Sequence, residues 1–261
     1  MKLSARALRQ LKGVTPIPML TAYTTPVARS LEKAGVPVLL VGDTVGMVEM
    51  GFDSTRHTTV EHMEYHVGAV RRGAPNTHII ADLPFNSYTE PSVALKNARR
   101  LLDAGADSVK LEGPQLDVIG HLVASGIDVV GHAGLTPQTS KNFKQVGGTS
   151  AGADRVFDDA VAIAGAGVFM LVLEHIPAAL GERVTQAVAV PTIGIGAGAA
   201  CDGQVLVIND VLGLGERWPV FSKQYAYVGR TLVDAAQSFV AEVRDGTFAD
   251  NVFRLNASGK E

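Results

Sequence analysis

The sequence predicts a (β/α)8 TIM barrel with its active site at the C-terminal ends of the strands. Short apolar runs rich in β-branched residues alternate with longer amphipathic stretches, which is typical of strands buried between helices. The helical stretches repeatedly end in a small residue followed by glycine, which closes a helix most readily. The 261 residues contain no linker or low-complexity tract, so a single barrel domain over 1–261 with a C-terminal helix is favoured. The alternative is an open doubly wound sheet.

Eight strands are predicted in the order of the apolar runs. Glycine precedes four of these runs, at Gly35, Gly105, Gly126 and Gly167. The predicted strands cover residues 17–23, 38–41, 78–81, 108–111, 128–130, 168–173, 192–195 and 205–208.

Helices are predicted between most of these strands. The first begins after Thr25, with Pro26 at its first position, and the others cover residues 60–72, 91–104, 116–124, 154–164, 177–188 and 223–244. The connection between the last two strands is too short for a full helix. The segment 134–152 is long, polar and glycine-rich, so it is interpreted as a mobile active-site loop.

Composition excludes several classes of function. A net charge of −3 does not favour contact with a phosphate backbone, so a nucleic-acid partner is not expected. The chain has one cysteine, Cys201, which excludes an internal disulfide and favours a reducing compartment. It has neither an apolar run of membrane-spanning length nor a signal peptide. A cytoplasmic protein with no membrane partner is therefore expected.

Charged and polar side chains follow several of the predicted strands. Because catalytic residues of such barrels lie at the carboxyl ends of the strands, we take these as candidate site residues: Asp43, Asp82, Lys110, Glu112, His132 and Glu174. Taken singly, each has a structural alternative, since an aspartate can cap a helix, Lys110 and Glu112 can form an ion pair, and His132 can be a buried core residue. The occurrence of all six at strand ends favours a catalytic site.

The chemistry of these candidates is oxygen-based. Carboxylates without a cysteine or a pair of histidines suit Mg²⁺ better than Zn²⁺. A lysine beside such a metal commonly binds an anionic substrate group, and a carboxylate away from the metal, such as Glu174, is a candidate general base.

Three further features are weaker. His62 and His66 lack the glutamate of a zinc-protease motif and are assigned to a solvated helix face. The segment 194–203 is glycine-rich and follows the seventh strand, where barrels often bind phosphate, but tight backbone packing explains it equally well. Cys201 beside it is a weak candidate for a catalytic thiol.

Eight segments together resemble the ketopantoate hydroxymethyltransferase family. The resemblance runs in order from about residue 12 to residue 225, and the combination of motifs is highly specific. The segments are MLTAY (19–23), VLLVGDTVGM (38–47), GFDSTRHTTV (51–60), VRRGAPNTHIIADLPFNSY (70–88), AGADSVKLEG (104–113), VVGHAGLTPQ (129–138), LVLEHIP (171–177) and GIGAGAACDGQVLVINDVLGL (194–214).

The resemblance implies a phosphoenolpyruvate-mutase-like barrel and a Mg²⁺-dependent enzyme of pantothenate synthesis. Such an enzyme transfers a one-carbon unit from 5,10-methylenetetrahydrofolate to 3-methyl-2-oxobutanoate through a Mg²⁺-stabilised enolate, giving 2-dehydropantoate and tetrahydrofolate. Family members are usually cytoplasmic and often decameric, so a homo-oligomer is expected. The implied roles are metal binding by Asp43, Asp82 and Glu112, with Glu112 in or just outside the metal's shell, substrate binding by Asp43, Thr44, Asp82, Lys110 and His132, and base catalysis by Glu174.

Three departures from the family pattern leave an alternative open. Thr44 and Thr24 stand where the family usually has Ser and Asp, and the region 139–152 lacks a typical family run and is a few residues shorter. The alternative is a paralogous Mg²⁺-dependent lyase, aldolase or hydroxymethyltransferase that acts on another 2-oxo acid. A barrel kept only as an assembly or binding module is a third possibility, which the intact set of strand-end residues disfavours.

Overall fold

Eight parallel strands close into a barrel in a computed structural model that describes residues 2–140, 142–215 and 218–249. Each strand pairs with the next along the chain, and β8 pairs with β1. This confirms the predicted (β/α)8 barrel, and the open doubly wound sheet is wrong. The strands are β1 (Ile17–Thr21), β2 (Val38–Val41), β3 (His78–Asp82), β4 (Ser108–Lys110), β5 (Val129–Gly134), β6 (Met170–Glu174), β7 (Thr192–Ile195) and β8 (Gly203–Leu206).

Helices follow most of the strands, as predicted. They are α1 (Ala5–Arg9), α2 (Thr25–Lys33), α3 (Val45–Val48), α4 (Val60–Gly73), α5 (Pro91–Asp103), α6 (Leu116–Ala124), α7 (Ser150–Gly165), α8 (Ala178–Ala187), α9 (Ile208–Leu212) and α10 (Val228–Asp245). The short helices α1, α3 and α9 and a 3-10 turn at Thr55–His57 were not predicted. No helix lies between β7 and β8, as expected from the short connection.

The predicted loop 134–152 is too long at both ends. Gly134 is the last residue of β5, and α7 begins at Ser150 rather than at residue 154. The helix starts earlier because the Thr149 hydroxyl accepts a hydrogen bond from the Gly152 amide at 3.2 Å, which is the usual N-terminal cap. The connection between β5 and α7 is therefore residues 135–149.

The glycines that precede strands close helices in the expected way. Gly35, Gly105, Gly126 and Gly167 have φ angles of 80°, 119°, 79° and 102°. Side chains rarely adopt this left-handed backbone, so the glycine pattern read from the sequence reflects a requirement of the helix ends.

Alternation along the strands fills the barrel with apolar side chains and places polar ones at its carboxyl end. The buried apolar cluster combines alternate strand residues with Ala5 and Leu8 of α1. Because the side-chain period of a strand is two, the apolar alternation Met170–Val172 continues to Glu174. The barrel therefore directs its functional side chains to one end. The cluster includes Ile17, Met19, Val38, Leu40, Ile80, Val130, Phe169, Met170, Val172, Ile193 and Val205.

The chain divides into two compact units, residues 1–208 and 209–261. The first contains the barrel. The second contains α10, which ends at Gly246 with a left-handed φ of 80°. Organisation of 1–261 as one domain stays a prediction. Within the residues that the structure describes, no helix has the length and apolar character needed to cross a membrane.

Candidate active site

The strand-end residues named from the sequence lie in one connected cluster. Asp82, Lys110 and Glu174 are the last residues of β3, β4 and β6, and His132 lies within β5. The strand register sets Asp82 beside Lys110, and Lys110 Nζ lies 2.9 Å from Asp82 Oδ1. Lys110 Nζ is also 3.5 Å from Nδ1 of His132.

Asp43 follows β2 and lies against Asp82. The backbone amide of Asp43 donates to Asp82 Oδ2 at 3.1 Å, and its carbonyl accepts from the Thr58 hydroxyl at 2.8 Å. Burial raises the pKa of the Asp43 carboxyl to about 7, and repulsion by the Asp82 carboxylate adds to the effect. Both aspartates are buried, so the pair concentrates negative charge inside the protein.

The hydroxyl groups of Thr44 and Tyr23 lie near each other, beside Gly42 and Asp82. A Cβ atom added to Gly42 would lie 3.5 Å from Asp82 Oδ2 and 3.8 Å from both Thr44 Oγ1 and the Tyr23 hydroxyl. Thr44 is half-buried, whereas the Tyr23 hydroxyl is fully buried and has no partner at hydrogen-bonding geometry among the described residues. Burial raises the pKa of Tyr23, so it remains a neutral phenol. Both hydroxyls therefore lie close to the Asp82 carboxylate.

Lys110 is a buried ammonium held by carboxylates. Burial alone would lower its pKa, but Asp82, Glu112 and Asp43 outweigh burial and raise it above the ordinary value. Lys110 therefore stays protonated and can attract an anionic substrate group.

His132 joins the lysine to Glu174. Its Nε2 atom lies 3.3 Å from Glu174 Oε2, and burial followed by the nearby Lys110 charge lowers the pKa of the imidazole. An ammonium can only donate, so Nδ1 is assigned as the acceptor and Nε2 as the protonated nitrogen that faces Glu174. His132 is fully buried, whereas the Glu174 side chain is 17% exposed and remains accessible to a ligand.

The Glu112 carboxylate lies next to Gln138 and His132. Its Oε2 atom accepts the backbone amide of Gln138 at 3.0 Å, and its Oε1 atom is 3.6 Å from His132 Nδ1. Burial raises the pKa of Glu112 well above its ordinary value. Both oxygens of Glu112 therefore face protein groups.

Several residues of this site were not singled out from the sequence. Gln138 was quoted only as part of a motif, yet it is buried and its side chain donates to Asp43 Oδ2 at 2.8 Å. Tyr23 and Tyr88 are also buried, and Arg56 reaches the carbonyl of Gln138 at 2.7 Å. Tyr23, Arg56 and Tyr88 likewise stand in segments that were quoted for the family resemblance. The resemblance was therefore the only signal for these four residues, because their contacts depend on how loops fold back.

The donor set suits a divalent cation of the Mg²⁺ type. Asp43, Asp82 and Glu112 are three buried carboxylates in a cluster with one ammonium, Lys110, and burial together with repulsion by Asp82 raises the pKa of Asp43. Oxygen ligands are those that Mg²⁺ prefers. Within the described ranges, no three His, Cys, Asp or Glu side chains form a ready-made ligand group. The chemistry of these residues therefore fits Mg²⁺, with Asp43 and Asp82 as the foremost ligands.

The weaker candidates have structural roles. His62 completes the N-terminal cap of α4 with Thr59, and His66 Nδ1 lies 2.8 Å from the Tyr23 carbonyl oxygen, so neither is simply solvated. Burial raises the pKa of the Cys201 thiol, which disfavours a reactive thiolate. An added Cβ at Gly194 would lie 3.0 Å from Cys201 Sγ, in line with tight packing of this segment.

Comparison with known sequences gives one family over nearly the whole chain. The ketopantoate hydroxymethyltransferase family model matches residues 2–251. A 3-methyl-2-oxobutanoate hydroxymethyltransferase from Pyrobaculum islandicum is 48% identical over 243 residues, which cover 91% of this chain and 93% of the relative. A protein of the same name from Syntrophus aciditrophicus is 46% identical over 258 residues, which cover 95% of each chain.

Solved structures with the same fold are far less similar in sequence. A 2,3-dimethylmalate lyase, a PEP mutase/isocitrate lyase superfamily member, aligns with a TM-score of 0.63 at 16% identity over 100% of this chain and 97% of that one. A phosphoenolpyruvate phosphomutase from Streptomyces platensis subsp. rosaceus aligns with a TM-score of 0.64 at 16% identity over 98% and 96%. These likenesses confirm the predicted phosphoenolpyruvate-mutase-like fold and carry no statement about activity.

Proposed function

This chain belongs to the ketopantoate hydroxymethyltransferase family, and from that premise we propose that it transfers a hydroxymethyl group from 5,10-methylenetetrahydrofolate to 3-methyl-2-oxobutanoate. The products are 2-dehydropantoate and tetrahydrofolate. We also propose that the protein acts in pantothenate and coenzyme A synthesis, is located in the cytoplasm and forms a homo-oligomer such as a decamer. These three proposals rest on the family resemblance.

One observation carries the proposal beyond family membership. A partly exposed carboxylate, Glu174, and a protonated buried amine, Lys110, lie on opposite sides of one imidazole, His132. A 2-oxo acid needs a cation for its carboxylate and a base for the C–H bond next to its carbonyl group. The cluster contains one group of each kind.

The reaction requires C3 of 3-methyl-2-oxobutanoate to become a nucleophile. Lys110 attracts the substrate carboxylate, and the partly exposed hydroxyl of Thr44 donates to one of its oxygens. Glu174 takes the proton as the C3–H bond breaks, while His132 Nε2–H holds the glutamate in place. A base positioned in this way typically contributes about 10²–10⁴ in rate.

The carbon–carbon bond then forms between C3 and the one-carbon unit that the folate delivers. Water supplies the new hydroxyl group, and tetrahydrofolate leaves. Both bonds between folate nitrogen and the one-carbon unit break, so tetrahydrofolate gains two N–H hydrogens. One is the C3 proton held by Glu174, and the other comes from the water whose hydroxyl group is retained in the product.

Asp43 and Asp82 would hold Mg²⁺, with Glu112 just behind them. When bound, the cation acts as a Lewis acid for the keto group of the substrate. The hydrogen bond from the Gln138 backbone amide to Glu112 Oε2 supports an outer position for that residue.

Two assays test the proposal. The first measures tetrahydrofolate formation with 3-methyl-2-oxobutanoate and Mg²⁺, and the second follows exchange of the C3 proton in deuterated water by NMR. We expect turnover in the first assay. No turnover, together with activity on a different 2-oxo acid, would overturn this function in favour of a paralogous lyase or aldolase.

Substitutions test whether Glu174 is the base that removes the C3 proton. Glu174→Gln should retain substrate binding and lose most of the exchange, whereas the exposed Glu182→Gln, on α8, should exchange like the wild type. Asp82→Ala should abolish Mg²⁺-dependent exchange. Exchange at the wild-type rate in Glu174→Gln would mean that another group is the base.

A further inference from the structure

Gln138 connects the β5–α7 connection (residues 135–149) to the carboxylates that follow two strands, β2 and β4, and to the backbone that follows a third, β3. Its side-chain Nε2 donates to Asp43 Oδ2 at 2.8 Å and to the Leu83 carbonyl at 3.0 Å. Its backbone amide donates to Glu112 Oε2 at 3.0 Å. The residue is 1% exposed, so these hydrogen bonds are shielded from water.

The orientation of the Gln138 amide follows from its partners. The Leu83 carbonyl can only accept, so the atom that faces it is the nitrogen, and both N–H groups of that nitrogen are then used. Oε1 faces the buried Tyr88 hydroxyl, which therefore donates to it. A flipped amide would place Oε1 against the Leu83 carbonyl, and two acceptors cannot form a hydrogen bond.

Arg56 secures the backbone around Gln138. Its Nε atom donates to the Gln138 carbonyl at 2.7 Å and its Nη2 atom to the Thr139 carbonyl at 3.2 Å. The guanidinium also lies over the Phe85 ring, 5.1 Å from its centroid. The amide that reaches Asp43 is thus held at its backbone as well as at its side chain.

We propose that Gln138 is the positioning residue for the Asp43 carboxylate, oriented in turn by Tyr88. The engaged oxygen, Oδ2, cannot rotate without losing the Gln138 hydrogen bond, so Oδ1 keeps one direction and is left for a cation or substrate. The same residue couples the β5–α7 connection to the site. The role of Gln138 in orienting Asp43 for catalysis rests on the proposed function. Its role in attaching residues 135–149 to the site does not.

The test compares Gln138→Met, which keeps the length of the side chain but removes both donors, with Tyr88→Phe. The matched control is Gln145→Met, an exposed glutamine in the same connection. Mg²⁺ alone is titrated by calorimetry into each protein. Loss of a group that orients a metal ligand typically weakens metal affinity about 10- to 100-fold, and we expect at least the lower figure for Gln138→Met, a smaller loss for Tyr88→Phe and none for the control.

A double variant separates positioning from general support of the fold. Because Tyr88 acts through the Gln138 amide, adding Tyr88→Phe to Gln138→Met should weaken Mg²⁺ binding no further. Additive losses, or wild-type affinity in Gln138→Met, would overturn the inference. Thermal unfolding identifies any variant that has lost its fold. If Gln138→Met has done so, Gln138→Asn is tested in its place. Gln138→Asn retains the amide on a shorter side chain and should bind Mg²⁺ with intermediate affinity.

Amide hydrogen exchange by mass spectrometry gives a readout that needs neither metal nor substrate. Residues 135–149 should exchange faster in Gln138→Met and in Tyr88→Phe than in the wild type or Gln145→Met. A wild-type protein that binds no Mg²⁺ would contradict the proposed function, and the exchange data would still decide the structural role of Gln138. Unchanged exchange in both variants would overturn that role.

Discussion

The Nε2 atom of His132 lies 3.3 Å from Oε2 of Glu174, inside a site where the imidazole is fully buried and the carboxylate is not. Lys110 on the Nδ1 side prevents that nitrogen from carrying the proton. Nε2 is therefore the protonated nitrogen on the side of the candidate base. The contact does not meet hydrogen-bond geometry, and we expect the N–H group to orient Glu174 when substrate is bound.

His132→Leu should reduce C3 proton exchange by about two orders of magnitude, within the range of a positioned base. Glu174 loses its donor in this variant and becomes free to rotate. His132→Gln retains an N–H donor and should recover part of the rate. NMR exchange measures both, with the exposed His121→Gln as the control, and equal rates in His132→Leu and the wild type would contradict the assigned role.

Lys110→Met should destabilise the protein by about 3 to 5 kcal/mol, because it leaves Asp82 as a buried charge without its cation. Adding Asp82→Asn should recover a large part of that loss. Urea unfolding of both variants measures the effect, with the exposed Lys96→Met as the control. A double variant that is no more stable than Lys110→Met would show that the pair is not coupled.

Asp43→Asn should make the metal-free protein more stable at pH 8, by about 1 to 3 kcal/mol. The folded-state pKa of Asp43 is raised to about 7 by burial and by Asp82. Folding thus opposes its ionisation at pH 8, and the amide removes that cost. The same variant should lose the rise in melting temperature that Mg²⁺ produces in the wild type. Denaturant unfolding in EDTA and melting with Mg²⁺ measure the two effects, and the exposed Asp53→Asn should change neither.

Gly131→Ala should cost about 1 to 3 kcal/mol, since the new Cβ would lie 2.2 Å from Ile163 Cγ2 of α7. Ile163→Ala removes that methyl group, so the double variant should lose less than the sum of the two single losses. Gly120→Ala in α6, where an added Cβ has open space, is the control and should be neutral or stabilising. Additivity in urea unfolding would rule out the steric conflict.

His78 should make the barrel less stable in mild acid. Its Nδ1 atom lies 2.9 Å from the Leu3 carbonyl and its Nε2 atom 3.0 Å from the Ser108 hydroxyl, and burial lowers its pKa below 6.5. Below that pH the unfolded chain binds a proton that the folded protein excludes, so the free energy of unfolding falls as pH falls, by at most about 1.4 kcal/mol per unit.

His78→Asn cannot titrate and should show a shallower fall in stability between pH 6.5 and 5 than the wild type. The exposed His57→Asn should keep the wild-type slope. The free energy of unfolding is measured across this pH range for each protein. An equal pH dependence in His78→Asn and the wild type would show that His78 does not cause the loss of stability in acid.

The order of strands and helices could be predicted from the sequence because local signals specify it. Apolar runs with β-branched residues and the glycines that close helices are properties of short segments. Their position at the carboxyl ends of parallel strands then placed Asp82, Lys110, His132 and Glu174 at one end of the barrel. The start of α7, which was predicted too late, depended on a single capping hydrogen bond that the Gly152 amide donates to the Thr149 hydroxyl.

Only the tertiary structure decided which of the polar residues at the strand ends contact one another. The sequence determined that carboxylates, an ammonium and an imidazole stand at strand ends, and the strand register determined that Lys110 meets Asp82. Gln138 reaches Asp43 across 95 residues of chain, through a connection whose described residues form neither helix nor strand. Such a contact arises from the path of a loop over the closed barrel, and no periodicity within a short segment encodes that path.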